Sequence, residues 1–295
     1  YLPVVTLYGY LILLFFYCQF KKDNSIIDTN WGLTFNISNW SVLIYQWAIG
    51  VEVPARAILS NCLVLIWGVR LAYHIGARHK VEDYRYVDMR TRWNAIGPNY
   101  YYFAAFTYVF MLQGLFSLIS NSAALYITIY SLPGDNTLSW LDYAGAAIWL
   151  FGFVFEVVGD EQLKYHLKDK TPGKKKFITW GLWRYTRHPN YFGESVLWWG
   201  IYLMACSIDL GWVTFYAPLF IGLLIRFVSG VPLLEQKYIN NPEFQRTMET
   251  TNVFFPWFYR EPKDDGSRST ETPANYPQVH DNEQNQPLVS EDAQA

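Results

Sequence analysis

The chain has 295 residues, of which 52% are hydrophobic and 19% aromatic, while only 16% are charged. A soluble globular protein carries about 25% charged residues, so this composition excludes an ordinary soluble domain. The formal net charge of −2 gives no basic excess, so we expect no nucleic-acid partner. The three cysteines are too scattered for a disulfide framework or a metal cluster, and we expect no metal site.

Several apolar runs reach the roughly 20 residues that a helix needs to cross a bilayer. Tryptophan and tyrosine crowd their ends, as these rings do at the level of the lipid headgroups. We therefore predict an all-α fold, a polytopic integral membrane helical bundle with six to eight transmembrane helices. The predicted spans are residues 4–20, 55–75, 100–119, 141–158, 195–206 and 212–228, with weaker candidates at 31–47 and 122–131.

Two regions differ in composition. Residues 1–260 read as one membrane domain, whereas residues 261–295 form a polar tail with eight acidic and two basic residues. Such a tail contains little that can pack, so ordering it would require a partner surface.

The most informative segment is Arg-Tyr-Thr-Arg-His-Pro-Asn-Tyr-Phe-Gly-Glu at residues 184–194, which stands at the start of an apolar run. Pro189 suits the first turn of a helix, because that turn has no acceptor for its missing N–H. We expect a helix to begin between His188 and Asn190, with its free N–H groups near Arg184 and Arg187. This arrangement suits a phosphate or a carboxylate. The alternative is a positively charged membrane anchor with a helix cap.

The loop before this segment, residues 160–187, is rich in lysine and includes Lys176. It is either a solvated loop that sets membrane topology or a clamp for a polyanionic cofactor. Glu156 and Asp160 lie one helical turn apart at its start, which suggests hydrogen bonding to a ligand hydroxyl or amide. Simple interfacial charge is the alternative for this pair.

Three further positions carry chemistry. Arg226 lies deep in an apolar run, and Glu235 is a partner within reach; snorkelling to the interface is the alternative. Tyr73 and His74 end the predicted span at residues 55–75, where a tyrosine hydroxyl beside a cation can polarise a carbonyl and donate a proton. The alternative for Tyr73 is an interface anchor.

The segment Gly-Leu-Trp-Arg-Tyr-Thr-Arg-His-Pro-Asn-Tyr-Phe-Gly-Glu at residues 181–194 closely resembles the membrane-bound steroid 5-alpha-reductase-like family, in its poorly characterised branch. The motifs Asp-Thr-Asn-Trp-Gly at 28–32, Arg-Leu-Ala-Tyr-His at 70–74, Glu-Asp-Tyr-Arg-Tyr at 82–86, Ser-Gly-Val-Pro-Leu-Leu-Glu at 229–235 and Phe-Phe-Pro-Trp at 254–257 agree with it. The resemblance covers roughly residues 20–260. It implies a helical membrane fold and an NADPH-dependent reduction of a carbon–carbon double bond conjugated to a carbonyl.

Carried onto this chain, the resemblance matches Asn190 and Glu194 to cofactor-contacting positions, Asp160 to an acidic cofactor position, and Arg226 to a cofactor-binding arginine. The family's substrate-binding glutamate and tyrosine have no certain counterpart, and Glu52, Tyr73 and His74 are the catalytic candidates. The whole expected cofactor site comprises Glu156, Asp160, Lys176, Arg184, Arg187, His188, Asn190, Tyr191, Glu194, Arg226 and Glu235.

Two other functions stay open. The isoprenylcysteine carboxyl methyltransferases share the Arg-His-Pro-x-Tyr pattern, which there serves S-adenosylmethionine, but their paired glutamates are reduced here to Glu235 alone. An accessory subunit of a larger membrane assembly is the second alternative, with partner subunits ordering the tail. For the reductase, we expect membrane lipids and an apolar lipid or sterol-like substrate as partners. The family's usual location is the endoplasmic reticulum, and the mitochondrial inner membrane is the alternative.

Overall fold

The computed structural model describes residues 1–134 and 136–261, and all regular elements within those ranges are helical. The predicted acidic tail lies almost wholly outside the described residues, so the division at residue 260 stays a prediction. The predicted all-α membrane bundle is confirmed. The α-helices are α1 Leu2–Lys21, α2 Ile26–Ala48, α3 Ala55–Gly76, α4 Tyr84–Ile96, α5 Pro98–Ala104, α6 Leu112–Ser120, α7 Ser122–Tyr130, α8 Trp140–Lys168, α9 Pro189–Ala205, α10 Tyr216–Leu223, α11 Val231–Glu235 and α12 Pro242–Thr250.

Two segments are π-helical and continue neighbouring helices. Ala105–Met111 joins α5 to α6, and Leu224–Ser229 joins α10 to α11. Such segments are rare and occur frequently at functional sites. The second one contains Arg226.

Five helical stretches of the described chain are long and apolar enough to cross a membrane: Leu2–Lys21, Ala55–Gly76, Pro98–Ser120, Trp140–Lys168 and Gly211–Tyr238. This number is below the six to eight that we predicted. The difference lies in α9, which has only 17 residues, and in the two weaker candidates, since α2 carries several polar side chains and α7 has only 9 residues. All three were predicted as spans from their apolar runs.

The chain forms two compact units, each with its own packing. The first, called here the bundle unit, comprises Tyr1–Val154 and Gly193–Ile225; the second, the motif unit, comprises Phe155–Phe192 and the described residues from Arg226 onward.

In the bundle unit, α2 and α3 pack closely because glycines face each other. A Cβ atom at Gly68 would lie 2.4 Å from the carbonyl oxygen of Gly32, so neither position has room for a side chain. Beside this contact, the rings of Phe35, Trp67 and Trp198 meet with centroids 5.0–5.1 Å apart. Aromatic pairs at this spacing contribute about 0.5–1.5 kcal/mol beyond the area that they bury. All three rings are buried within the bundle unit.

The motif unit has a small core of Leu163, Ile178 and Trp183. Its last helix, α12, begins where the Asn241 side chain accepts hydrogen bonds from the backbone N–H groups of Glu243 (3.0 Å) and Phe244 (3.2 Å). Such a cap satisfies N–H groups that the first turn leaves without partners. It holds α12 in place as a wall of the cavity described below.

Candidate functional site

The segment at residues 184–194 folds as its local chemistry predicts. α9 begins at Pro189, which confirms the predicted helix start. The preceding turn, Gly181–Arg184, starts at Gly181 with a φ of 62°, a left-handed conformation that glycine adopts without strain. Its position is fixed by the Trp183 indole, whose Nε1 donates to the carbonyl oxygen of Gly159 at 2.9 Å.

Arg187 and His188 both bind Glu235. The guanidinium donates through Nε to Glu235 Oε1 at 2.7 Å and through Nη2 to Oε2 at 3.1 Å. His188 Nε2 lies 2.9 Å from the same Oε1. Our expectation that Glu235 would pair with Arg226 is therefore corrected, because Arg187 and His188 reach it first. The Arg226 guanidinium instead lies 4.7 Å from the centroid of the Phe227 ring.

Arg187 also fastens the segment that follows α12. Its Nη1 donates to the carbonyl oxygen of Thr251 at 2.7 Å. Its backbone N–H donates to the carbonyl oxygen of Asn252 at 2.8 Å. Thr186 Oγ1 donates to the carbonyl oxygen of Phe254 at 2.8 Å. All three guanidinium nitrogens therefore donate to protein acceptors, which leaves few of the five N–H donors of Arg187 for an anion. The predicted role of Arg187 in anion binding stays a prediction.

The acidic residues of α8 and the start of α9 come together at a glycine. A Cβ atom at Gly159 would lie 3.1 Å from the backbone nitrogen of Asn190, so α8 and α9 approach closely here. Glu156, Asp160 and Asn190 are all buried, with 2%, 3% and 6% of their surfaces exposed. The Oδ1 atom of Asn190 has no hydrogen-bond partner among the described residues. A buried acceptor without a donor costs about 1–3 kcal/mol, so this oxygen is suited to a ligand that donates. Glu194, one helical turn further along α9, is also buried.

Two of the cationic candidates lie at the surface of the motif unit. Lys176 and Arg184 are exposed. The Lys176 ammonium lies 5.3 Å from the Tyr238 ring centroid, and the Arg184 guanidinium lies 5.3 Å from that of Tyr259. Tyr191 stacks on His188 at 5.6 Å. Exposed cations of this kind can turn toward phosphate groups without breaking a buried ion pair.

A cavity of about 70 Å³ opens in the motif unit beside the Arg187–Glu235 pair. Its walls are mainly aromatic and aliphatic, with the charged groups and Thr247 as the polar part of the lining. Its volume is well below the roughly 300–1,000 Å³ of a pocket for a drug-sized ligand, so it suits only a very small molecule or group. The residues that line it are Leu163, Phe177, Ile178, Trp183, Arg187, His188, Leu234, Glu235, Tyr238, Phe244 and Thr247.

The three catalytic candidates lie in the bundle unit, at two different places. Glu52 is exposed in the loop before α3 and accepts a hydrogen bond from Asn136 at 3.2 Å. Tyr73 and His74 lie near the other end of α3, and Tyr73 is 77% exposed. A helix of 22 residues is about 33 Å long, so Glu52 cannot act on the same substrate atom as Tyr73 or His74. A catalytic role for any of the three stays a prediction.

The structure also shows a hydrogen-bond network around Asp28 that the sequence analysis did not predict as catalytic. The Tyr86 hydroxyl donates to Asp28 Oδ1 at 2.6 Å and accepts from Gln113 Nε2 at 3.4 Å, while Arg85 Nη2 donates to Asp28 Oδ2 at 3.0 Å. Burial, reinforced by Asp28, raises the pKa of Tyr86 well above its usual value, so the phenol stays protonated at neutral pH. Residues 28–32 and 82–86 had been noted as family motifs, but their contact across 58 positions is visible only in the fold.

Metal-binding chemistry has no counterpart within the described ranges. Residues 1–134 and 136–261 contain no group of three or more His, Cys, Asp or Glu side chains placed to hold a metal ion.

Comparison with known proteins places the chain in a family. The family model described as "Protein of unknown function (DUF1295)" matches residues 14–251. The chain belongs to this steroid 5-alpha-reductase-like family, which confirms the resemblance read from the motifs.

Two curated relatives are similar to the chain. An uncharacterized protein of Schizosaccharomyces pombe is 26% identical over 267 residues, covering 80% of this chain and 73% of the relative. The 3-oxo-5-alpha-steroid 4-dehydrogenase 1 of Bos taurus is 30% identical over 143 residues, which is 48% of this chain and 54% of the bovine protein. The chain thus matches only about half the length of the bovine protein. No solved structure matches the chain.

Proposed function

We propose that this member of the DUF1295 family is an NADPH-dependent reductase of a carbon–carbon double bond conjugated to a carbonyl, acting on an apolar lipid or sterol-type substrate. The observation that carries the proposal is the buried Asn190, whose Oδ1 has no partner among the described residues. It lies where the start of α9 meets the acidic residues of α8. The name of the bovine relative, which is similar over about half of this chain, supports the same reaction class.

The residues of this region fit a nicotinamide dinucleotide. Asn190 Oδ1 would accept a hydrogen bond from the carboxamide or a ribose hydroxyl, and Glu156 and Asp160 would supply carboxylates for the same groups. Arg184 and Lys176 supply exposed cations for the phosphates. When bound, the cofactor supplies a hydride to the β carbon of the substrate.

Tyr86 is the candidate proton donor within the bundle unit. Its hydroxyl is protonated at neutral pH, as an ordinary phenol is, and it donates that proton to Asp28 Oδ1 at 2.6 Å, so it has to turn away from Asp28 to donate to a substrate. A donor of this kind stabilises negative charge that develops on a carbonyl oxygen during hydride transfer. Tyr73 is the competing candidate, and it is far more exposed.

The alternatives have less support. A methyltransferase of related fold would use S-adenosylmethionine, but the single Glu235 is committed to Arg187 and His188. The accessory-subunit alternative depends on the acidic tail, which lies outside the described residues, so no structural observation favours it.

We propose the endoplasmic reticulum as the membrane in which the protein resides, with the mitochondrial inner membrane as the alternative. Co-localisation of the tagged protein with markers of each membrane tests this.

Nucleotide binding is the first test. We expect the purified protein to retain NADP(H), identified by mass spectrometry, and to bind added NADPH. Asn190→Ala and Glu194→Ala should weaken binding about tenfold or more, because each removes a polar contact worth about 1–3 kcal/mol. Asn94→Ala is the matched control, since Asn94 is an exposed asparagine of α4 in the bundle unit. Normal binding by both site variants would refute the proposed site, and retention of S-adenosylmethionine would favour the methyltransferase.

Catalysis is the second test. With an enone sterol or lipid as substrate, Tyr86→Phe should lower kcat while NADPH affinity is unchanged. Tyr73→Phe serves as the comparison. If Tyr73→Phe abolishes turnover and Tyr86→Phe does not, the assignment of the donor is wrong, although the reductase proposal stands.

A further inference from the structure

A row of buried polar side chains runs between α2, α3 and α7 in the bundle unit. We call it the polar seam, and its members are Asn36, Asn39, Asn61, Asn121 and Thr128. Each is at most 6% exposed. Buried amides are costly in a membrane domain, so their partners have to be accounted for one by one.

Every amide nitrogen of the seam is used. Asn39 and Asn121 exchange hydrogen bonds, with Asn121 Nδ2 donating to Asn39 Oδ1 at 2.9 Å and Asn39 Nδ2 donating back at 3.3 Å. Asn61 Nδ2 donates to the carbonyl oxygen of Ala57 at 2.7 Å and to Thr128 Oγ1 at 2.8 Å. Asn36 Nδ2 donates to the carbonyl oxygen of Gly32 at 2.9 Å.

Two amide oxygens of the seam have no partner among the described residues. They are Asn36 Oδ1 and Asn61 Oδ1. The same holds for Ser120 Oγ, next to Asn121, and for Oε1 of Gln46, whose Nε2 donates to the carbonyl oxygen of Thr128 at 3.1 Å. Exchanging O and N cannot relieve Asn36 or Asn61, because each nitrogen already faces a carbonyl oxygen. Each unpaired acceptor costs about 1–3 kcal/mol.

A ligand that satisfies these oxygens has to be a small hydrogen-bond donor. The seam has no carboxylate among its members, and a hard cation takes at least six oxygen ligands around one point. Water fits, since a buried water makes about three hydrogen bonds to otherwise unsatisfied polar groups. Ser120 Oγ can donate in return, so a water there can both give and accept.

We propose that the polar seam binds internal water molecules and forms a hydrated track inside the bundle unit. The unpaired amide oxygens on α2 belong to Asn36 in the seam and to Gln46, ten residues further, which is about 15 Å along the helix at 1.5 Å per residue. The track would bring water, and therefore exchangeable protons, between α2, α3 and α7. This inference is independent of the proposed reductase activity.

Hydroxyl-radical footprinting tests the proposal, because radicals generated from bound water oxidise neighbouring buried side chains. The reporter is Trp67, which is 0% exposed and precedes Gly68, the residue against which the Asn36 amide lies. The comparison is Phe110, also 0% exposed, which packs in the apolar cluster around α1. After correction for intrinsic reactivity, we expect Trp67 to be oxidised several-fold faster than Phe110. Equal protection of both rings would overturn the proposal.

Variants separate water binding from general loosening. Asn36→Leu with Asn61→Leu removes the unpaired oxygens at similar volume, and oxidation of Trp67 should fall to the level of Phe110. Ser38→Ala is the control, because the Ser38 hydroxyl is already satisfied by the carbonyl oxygen of Thr34 at 3.0 Å. If the double variant does not fold, Asn61→Leu alone should lower the oxidation in part. Unchanged oxidation in a folded variant, or a melting temperature that rises with sodium chloride but not with choline chloride, would contradict water as the ligand.

Discussion

Arg187 and Glu235, which are 48 residues apart in the sequence, form a bidentate ion pair with N–O distances of 2.7 and 3.1 Å. Their side chains are 11% and 16% exposed, so the pair is largely removed from water. It connects the entrance of α9 to the end of α11 within the motif unit. Arg187 therefore stabilises the motif unit, apart from any contribution to cofactor binding.

Arg187→Ala should destabilise the motif unit by about 3–5 kcal/mol, because it leaves the Glu235 carboxylate buried without its main partner. Arg187→Lys should recover part of this loss, since an ammonium keeps the charge but cannot form two parallel hydrogen bonds. Thermal unfolding in detergent measures the effect, and limited proteolysis after residue 250 reports whether the following segment is released. A variant that melts like the wild type would show that the pair contributes little.

His188 should make stability depend on pH. Burial lowers the pKa of the imidazole below its ordinary 6.5, and the hydrogen bond to Glu235 only partly offsets this. The unfolded chain therefore binds the proton more readily, and stability is lost as pH falls from 6.5 toward the lowered pKa. We expect the melting temperature to be level above pH 7 and to fall below pH 6.5. His188→Gln should show a shallower fall, and parallel curves for the two proteins would contradict the assignment.

Gly68→Ala should disrupt the contact between α2 and α3. The added Cβ would lie 2.4 Å from the carbonyl oxygen of Gly32 and 2.2 Å from Asn36 Nδ2, so backbone has to move. Overpacking of this kind costs about 1–3 kcal/mol or more. Gly9→Ala in α1 is the matched control, because its Cβ would meet nothing within 4 Å. Thermal unfolding should distinguish the two, and equal melting temperatures would show that α2 and α3 can separate without cost.

Asp142→Asn should destabilise the bundle unit by about 3–5 kcal/mol. The carboxylate accepts two hydrogen bonds from Arg56, at 2.7 and 2.9 Å, and one from the backbone N–H of Ser139 at 2.7 Å. Asparagine keeps the shape but leaves the buried arginine charge without compensation. Asp209→Asn, at a position outside this network, serves as the control in the same thermal measurement. NADPH affinity of the folded fraction should be unchanged, and a parallel loss of affinity would indicate that the pair does more than hold the bundle.

Sequence signals predicted the structure correctly where the physical cause lies within one turn of a helix. Pro189 marks the first residue of α9, because proline lacks the N–H that the first turn does not need. The partners of Glu235 were not foreseen: Arg226, nine positions away, was one candidate, whereas Arg187 and His188 make the hydrogen bonds. Which cation reaches a carboxylate depends on how α9 and α11 approach each other, and no local pattern encodes that.

The sequence by itself determined the membrane bundle and the family, because apolar runs of bilayer length and a contiguous charged segment need no tertiary information to be recognised. Only the tertiary structure decided that Glu52 and Tyr73 lie at opposite ends of α3, that Tyr86 meets Asp28, and that Asn190 keeps an unpaired oxygen beside the α8 acids. Those relationships arise from packing between segments far apart in the chain. Their energies depend on burial and on distances of a few ångströms, which composition and spacing do not specify.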